Sequence, residues 1–151
     1  MVLSQKSQYA VRAVFELAKK EGSGPVKAAK IASAQFIPLR FLENILGELR
    51  QAGIVESVRG KEGGYLLVRS ARDLAVGEVI RVIQGPMAAI DCADADAANG
   101  RDCPLRAGCV LLPMWDTAHR AMMDVYDGTT FGDLVEQERA ANECEAINYA
   151  I

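Results

Sequence analysis

Histidine and tryptophan each occur once in the 151 residues, aromatics amount to 6%, and no two of the four cysteines stand as Cys-x-x-Cys. No paired base and nucleophile is in sight, so an enzyme is the least expected class. The missing Cys-x-x-Cys knuckles argue against structural zinc. No apolar run approaches the roughly 18 residues of a membrane span, and the N-terminus alternates polar and apolar residues where a signal peptide would keep an unbroken apolar core. A cytoplasmic chain without a membrane partner is therefore expected. In that reducing compartment the even cysteine count does not read as a disulfide framework, which leaves metal binding, thiol chemistry or plain burial. No internal repeat is visible, and the one biased stretch is rich in Asp and Ala.

Half of the residues are apolar, and the length is one domain's worth, enough for a core that needs no disulfide or metal. The net charge of -3 conceals a division. Residues 1–70 carry 11 Lys and Arg against 6 Glu, whereas residues 71–151 carry 6 Arg against 14 Asp and Glu. A basic half joined to an acidic half suggests that only the first meets a polyanion.

Apolar residues Ala10, Val11, Val14, Phe15, Leu17 and Ala18 recur at helical spacing and predict a first amphipathic helix from Ser4 to about Glu21, with Ser4 or Ser7 as its cap. Gly22, Gly24 and Pro25 break it. A short helix from about Lys27 to Ala34 and the turn Gln35-Phe36-Ile37 lead to a longer helix from Pro38 to about Ala52, stopped by Gly53. Leu39, Leu42, Ile45, Leu46 and Leu49 form its expected buried stripe, and Arg40, Glu43, Asn44 and Arg50 face outward. Two helices across a tight turn, the second with a polar outer face, predict a helix-turn-helix. Gly53 to Val68 reads as a β-hairpin wing with Arg59 and Lys61 at a tip made by Gly60, Gly63 and Gly64, glycines that permit positive φ or close backbone approach.

A short helix over Glu78 to Gln84 should pack Val79, Ile80 and either Val82 or Ile83 before Gly85-Pro86 closes it. From about Val110 to Asp127 a helix presents Leu111, Trp115, Ala118, Met122 and Val125, an apolar stripe that needs a partner surface. Thr129 or Thr130 caps a last helix through about Ala141 that buries Phe131, Leu134 and Val135. Beyond Asn142 the sequence carries no signal.

Between these helices lies Cys92 to Cys109, a polar stretch interrupted by Gly and Pro that holds three of the four cysteines. Thiolates are soft anionic donors suited to iron, and a loop can wrap a cluster as a regular element cannot. Thiol redox sensing without a metal is the other chemistry such a loop supports. Asp94, Asp96 and Asp102 read as a solvated loop, with one of them available as an oxygen ligand. His119 lies ten residues beyond Cys109, about 15 Å along a continuous helix and out of reach of the same iron. Cys144 reads as a spare thiol.

Tyr9-Ala10, Phe41-Leu42-Glu43, Leu49-Arg50-Gln51-Ala52-Gly53-Ile54-Val55, Arg59-Gly60 with Gly63-Gly64-Tyr65, and the later three-cysteine cluster together resemble the Rrf-two family of bacterial winged-helix transcription regulators. That family includes the iron-sulfur cluster regulator and the nitric-oxide-sensitive repressor. The resemblance runs to about Val135. It implies a homodimer paired through the helix after the cysteines, a near-palindromic double-stranded DNA operator and, where the cysteines are kept, an iron-sulfur cluster, commonly 2Fe-2S. Carried over residue by residue, it implies Cys92, Cys103 and Cys109 as metal ligands. It implies DNA contacts from Pro38, Leu39, Arg40, Glu43 and Asn44 and from the wing residues Arg59, Gly60, Lys61, Gly63, Gly64 and Tyr65. The chain departs from the family in three places: ten residues separate Cys92 from Cys103, Leu112 stands where a ligating His follows the last cysteine, and Gln8 occupies a position that is acidic in some members. The fourth ligand is left unassigned.

The expected fold is mainly α with a small β-hairpin, a winged helix-turn-helix plus a long C-terminal dimerisation helix in one compact domain. Residues 1–85 would read DNA, 86–109 would sense, and 110–151 would carry the dimerisation helix and the last helix. The expected function is a sequence-specific regulator whose DNA affinity follows the state of an iron-sulfur cluster responding to iron, redox or nitric oxide. The alternatives are a cluster-free thiol-sensing regulator and a dimeric thiol or metal accessory protein that binds no DNA.

Overall fold

In a computed structural model of the chain, which describes residues 3–85 and 108–148, Ser4 caps the first helix as expected. Its hydroxyl accepts the Ser7 N–H at 3.1 Å, satisfying one of the donors that a helix start leaves open. Helix α1 (Gln5–Lys19) buries Ala10, Ala13, Val14, Leu17 and Ala18. Val11 and Phe15 lie at the edge of that face, half-buried against the core.

Helices α2 (Ala28–Gln35) and α3 (Leu39–Gln51) meet at a turn made by one residue. Phe36 takes the left-handed conformation, φ 51 and ψ 45, which costs an L-residue about 1–2 kcal/mol. The Ile37 N–H then reaches the Ala32 carbonyl at 3.0 Å and the Phe36 N–H the Ser33 carbonyl, the pair of bonds that closes a helix in a Schellman turn. Ile37 is folded into the core, while Phe36 is 87% exposed. Pro38, expected inside the first helical turn, stands one residue outside it as the cap, its carbonyl accepting the Phe41 and Leu42 N–H groups at 3.0 Å. Leu42, Ile45, Leu46 and Leu49 are buried as expected, but Leu39 is not. It sits at the first position of α3, before the helix has turned its face to the core. At the far end Gly53, φ 73, closes α3 in the same way, its N–H bonding to Arg50 and that of Ile54 to Leu49.

Strands β1 (Val55–Val58) and β2 (Gly64–Leu67) pair antiparallel, Val55 opposite Leu67 and Val58 opposite Gly64. On the other side of β2, Val26 exchanges both backbone hydrogen bonds with Tyr65, at 2.8 and 2.9 Å. This crossing explains one of the tip glycines. A Cβ on Gly64 would lie 2.5 Å from the Val26 carbonyl, and one on Gly63 would strike the Val58 carbonyl. Only Gly60 of the three takes a positive φ.

A single 3-10 turn (Ala71–Asp73) leads into α4 (Val76–Gln84), which buries Val76, Val79 and Ile80 and rests Ile83 on the core, leaving Val82 exposed. Helix α5 spans Leu112–Gly128 and α6 spans Phe131–Asn148, seven residues beyond the predicted end. Thr130 caps α6: its hydroxyl accepts the Asp133 N–H at 3.1 Å while Asp133 accepts the Thr130 N–H at 2.9 Å, a reciprocal box. The Val76 N–H bonds to Thr129 and the Phe131 N–H to Leu74. These bonds seat Phe131, fully buried, beside α4, and α6 packs back on α1 and the 3-10 turn. No helix among the described residues is long and apolar enough to cross a membrane.

Gly64→Ala should lower stability by about 1–3 kcal/mol through overpacking against Val26. Gly47→Ala, in mid-α3 with open space where the new Cβ would stand, should raise it by about 1 kcal/mol. Denaturant unfolding of the two variants checks the opposite signs.

Candidate functional site

Cations are distributed unevenly between those that are neutralised and those that are not. In the acidic half Arg72 pairs with Glu136, Arg81 with Asp127 and Arg120 with Asp116. In the basic half Arg40 on α3 and Arg59 and Lys61 at the wing tip are exposed and form no ion pair among the described residues. Three uncompensated cations on the outer side of a recognition-type helix and on a hairpin tip suit phosphate oxygens and groove edges.

The residues expected to touch DNA divide into two groups. Pro38, Leu39, Arg40, Glu43 and Asn44 are all exposed along the start of α3, as are Arg59, Gly60 and Lys61 on the wing. Gly63 is buried and Gly64 and Tyr65 are half-buried. Their backbone serves the wing's own turn and its crossing with Val26. Two exposed residues were passed over in sequence. Phe41, 45% exposed, sets its ring edge-on to Tyr9 with centroids 6.0 Å apart, and Phe36 stands almost bare. An aromatic residue in a turn reads as core, and only the left-handed backbone at residue 36 turns it outward.

Helix α3 is tied to the start of α1 by a polar contact. Lys6 donates to both oxygens of Glu48 at 2.7 Å, tying the start of α1 to α3. The Gln84 side-chain oxygen, at the end of α4, accepts the Ser4 N–H and the fully buried Ser7 hydroxyl, each at 3.0 Å. Residue 84 therefore joins the start of α1 to the point where the cysteine segment leaves the reader.

Cys92 and Cys103 lie outside the described residues. Cys109 is half-buried and in no disulfide, two residues before the Leu111 cap of α5. Among the described residues no three His, Cys, Asp or Glu side chains gather as a metal site. Three thiolates remain a donor set whose chemistry suits an iron-sulfur cluster. Cys144 is exposed on α6.

Helix α5 has no buried residue. Leu111 is 54% and Val125 63% exposed, Ala118 is exposed, and Trp115 and Met122 are half-buried. The adjoining face sets Met123 and Tyr126 against the core, so the helix is anchored along one side and leaves its large apolar stripe uncovered within the chain. The Nδ1 atom of His119 is buried with no hydrogen-bond partner among the described residues. The anchor at the far end is a bidentate pair, Arg81 to Asp127 at 2.8 and 3.1 Å, seated over Gly77, where any Cβ would collide with the Asp127 carboxylate.

Comparison with known proteins gives one consistent answer. Residues 3–137 match the Rrf2 family, described as an iron-dependent transcriptional regulator. The transcriptional regulator IscR of Klebsiella pneumoniae is 35% identical over 138 residues, 91% of this chain and 82% of that protein. Among solved structures, T. potens IscR superposes with a TM-score of 0.73 at 33% identity, covering 93% of this chain and 90% of that one. The global cysteine regulator CymR of B. subtilis gives 0.72 at 31% identity, covering 91% and 98%.

The ionic contacts of α4 set a pH dependence. Burial pushes the Glu78 carboxyl up, but hydrogen bonds from Arg69 and the Ala75 N–H, with the charges of Arg69 and Arg81, hold it below the usual carboxylate range. A lowered carboxyl contributes stability that is complete above its unfolded pKa and lost as pH falls through the folded one. Glu78→Gln should therefore flatten the acid side of a plot of melting temperature against pH, below the ordinary carboxylate pKa, and leave the neutral side's slope unchanged.

Proposed function

The chain belongs to the Rrf2 family of transcription regulators, and from that premise we propose that it binds a near-palindromic operator as a homodimer whose cysteine segment sets the affinity. The observation that carries the DNA reading is that Arg40, Arg59 and Lys61, on α3 and the wing tip, are exposed and form no ion pair among the described residues, whereas the C-terminal arginines Arg72, Arg81 and Arg120, though not Arg139, are neutralised. Arg40, Glu43 and Asn44 are the side chains available to base edges. Arg59 is available to a narrow minor groove or to phosphate.

Pairing through the bare stripe of α5 would cover Leu111, Trp115, Ala118, Met122 and Val125. It would also set two α3 helices for successive major grooves, about 34 Å apart. Cys92, Cys103 and Cys109 would hold an iron-sulfur cluster, which when bound makes the segment responsive to iron, oxidants or nitric oxide. The described residues on either side of the segment are tied to α1 and to α4. Gln84 precedes it and bonds to Ser4 and Ser7; α5 follows it and is pinned to α4 by Asp127 and Arg81. A rearrangement between residues 86 and 109 would therefore act on the start of α1, and through Lys6 and Glu48 on α3. A coupling of about 1–3 kcal/mol is enough for a useful switch.

The half-buried free thiol of Cys109 and the structural likeness to a cysteine regulator support a second reading, in which thiol chemistry replaces the cluster.

Protein purified without oxygen should contain iron and acid-labile sulfide in matched amounts and absorb in the visible. Cys109→Ser should remove both, with operator affinity changed in step. A colourless wild type that stays colourless after reconstitution sinks the cluster and leaves the thiol reading. Arg59→Ala should weaken binding to all DNA and lower the salt slope of log K by about 1, measured by titration over a range of salt. An unchanged slope would remove the wing from the interface.

A further inference from the structure

Phe36 is an anomaly within its own chain. It is the one non-glycine residue with positive φ among those described, and the backbone around it is held from several sides. The Schellman bonds to Ala32 and Ser33 close over it. An Arg12 guanidinium N–H donates to the carbonyl of the preceding Gln35, and the Gln35 amide donates at 2.9 Å to Glu16, itself buried on α1. Such over-determination is how a strained conformation persists. Glycine would meet the same geometry without strain, yet the position carries a large aromatic side chain that is 87% exposed. No described residue covers the ring.

Its setting narrows the partner. Three residues later α3 begins, with Leu39 43% exposed and Arg40 in no ion pair among the described residues. An exposed aromatic ring and leucine close in sequence to Arg40, at the start of a recognition-type helix, suit a polyanion that also offers an apolar group. In the major groove of duplex DNA the base edges are hydrogen-bonding atoms, and the one apolar group is the thymine C5-methyl.

We propose that Phe36, supported by Leu39, is a specificity residue that reads a thymine methyl at the edge of each operator half-site. The inference rests on the reading of α3 as the DNA-reading helix. It adds an apolar contact at a defined thymine to the polar contacts of Arg40, Glu43 and Asn44, and it accounts for the retention of a strained phenylalanine where glycine is easier.

The test uses the whole chain and duplexes recovered by it from a random-sequence library. Each thymine of a recovered duplex is replaced in turn by deoxyuridine, which removes only the methyl. One thymine per half-site should stand out, its replacement weakening wild-type binding about fourfold, the value of one buried methyl-sized group. Phe36→Gly should bind both duplexes alike at that position while melting no lower than wild type, since glycine relieves the backbone. Equal methyl sensitivity of wild type and variant at every thymine overturns the proposal and leaves the DNA reading standing. Unchanged methyl sensitivity with altered sedimentation of Phe36→Gly overturns it in favour of a protein contact. A library that yields no enriched sequence for the wild type brings down the DNA reading itself, and this inference with it.

Discussion

Ala10, Ala13, Val14 and Leu17 are each at most 2% exposed, and α2, α3, α4, α6 and β2 all converge on the helix that carries them. Two of the four are alanines, and that smallness allows helices to approach α1 closely from several directions at once. Close-packed interiors of this kind have low compressibility and transmit strain. Helix α1 is thus the strut against which both the reading helix and the connection to the cysteine segment are set.

Polar contacts on this strut stand at its start, at Arg12 and Glu16 along its length, and toward its end. At its start Lys6 reaches α3 and Gln84 reaches Ser4 and Ser7. Toward its end Lys19 lies between Glu16 and Glu138, and its hydrogen bond to Glu138 chiefly raises its pKa. Exposed pairs of this sort contribute little to stability one by one. Their value lies in register: they fix where α3, α4 and α6 stand along α1 while the apolar face supplies the free energy, about 1.5–3 kcal/mol for each large side chain fully buried. A reader held in register by modest contacts is one whose position a neighbouring segment can bias.

The two uncovered regions differ in kind. Along α5 the exposed residues form a continuous apolar stripe on an unstrained helix, the mark of a surface that is buried by a like surface. Around Phe36 the exposure is local and the backbone strained, three residues before the start of α3. The apolar stripe of α5 and the polar start of α3 are thus surfaces of different chemistry.

Much of this was legible in the residues. Ser4, Gly53, the tip glycines and Thr130 locate the ends of elements because caps and turns are decided within a few residues of backbone, and the α3 stripe from Leu42 to Leu49 follows from helical period alone. The division of charge between halves is likewise a property of the chain as written, as is the cysteine set. What the sequence could not decide is which exposed position a side chain takes when its neighbours are distant in the chain. Leu39 left the core stripe because α3 had not yet turned inward. Phe36 is turned out and Ile37 folded in because a left-handed residue swings one out and the next in. Gly64 is required by Val26, far away in the chain, and α6 runs past Ala141 although its sequence gave no signal beyond Asn142. By itself the sequence determined the elements, their caps and the charge of each half, since these depend on local backbone chemistry. Only the tertiary structure decided which apolar residues remain uncovered, because burial is set by the whole chain closing around α1.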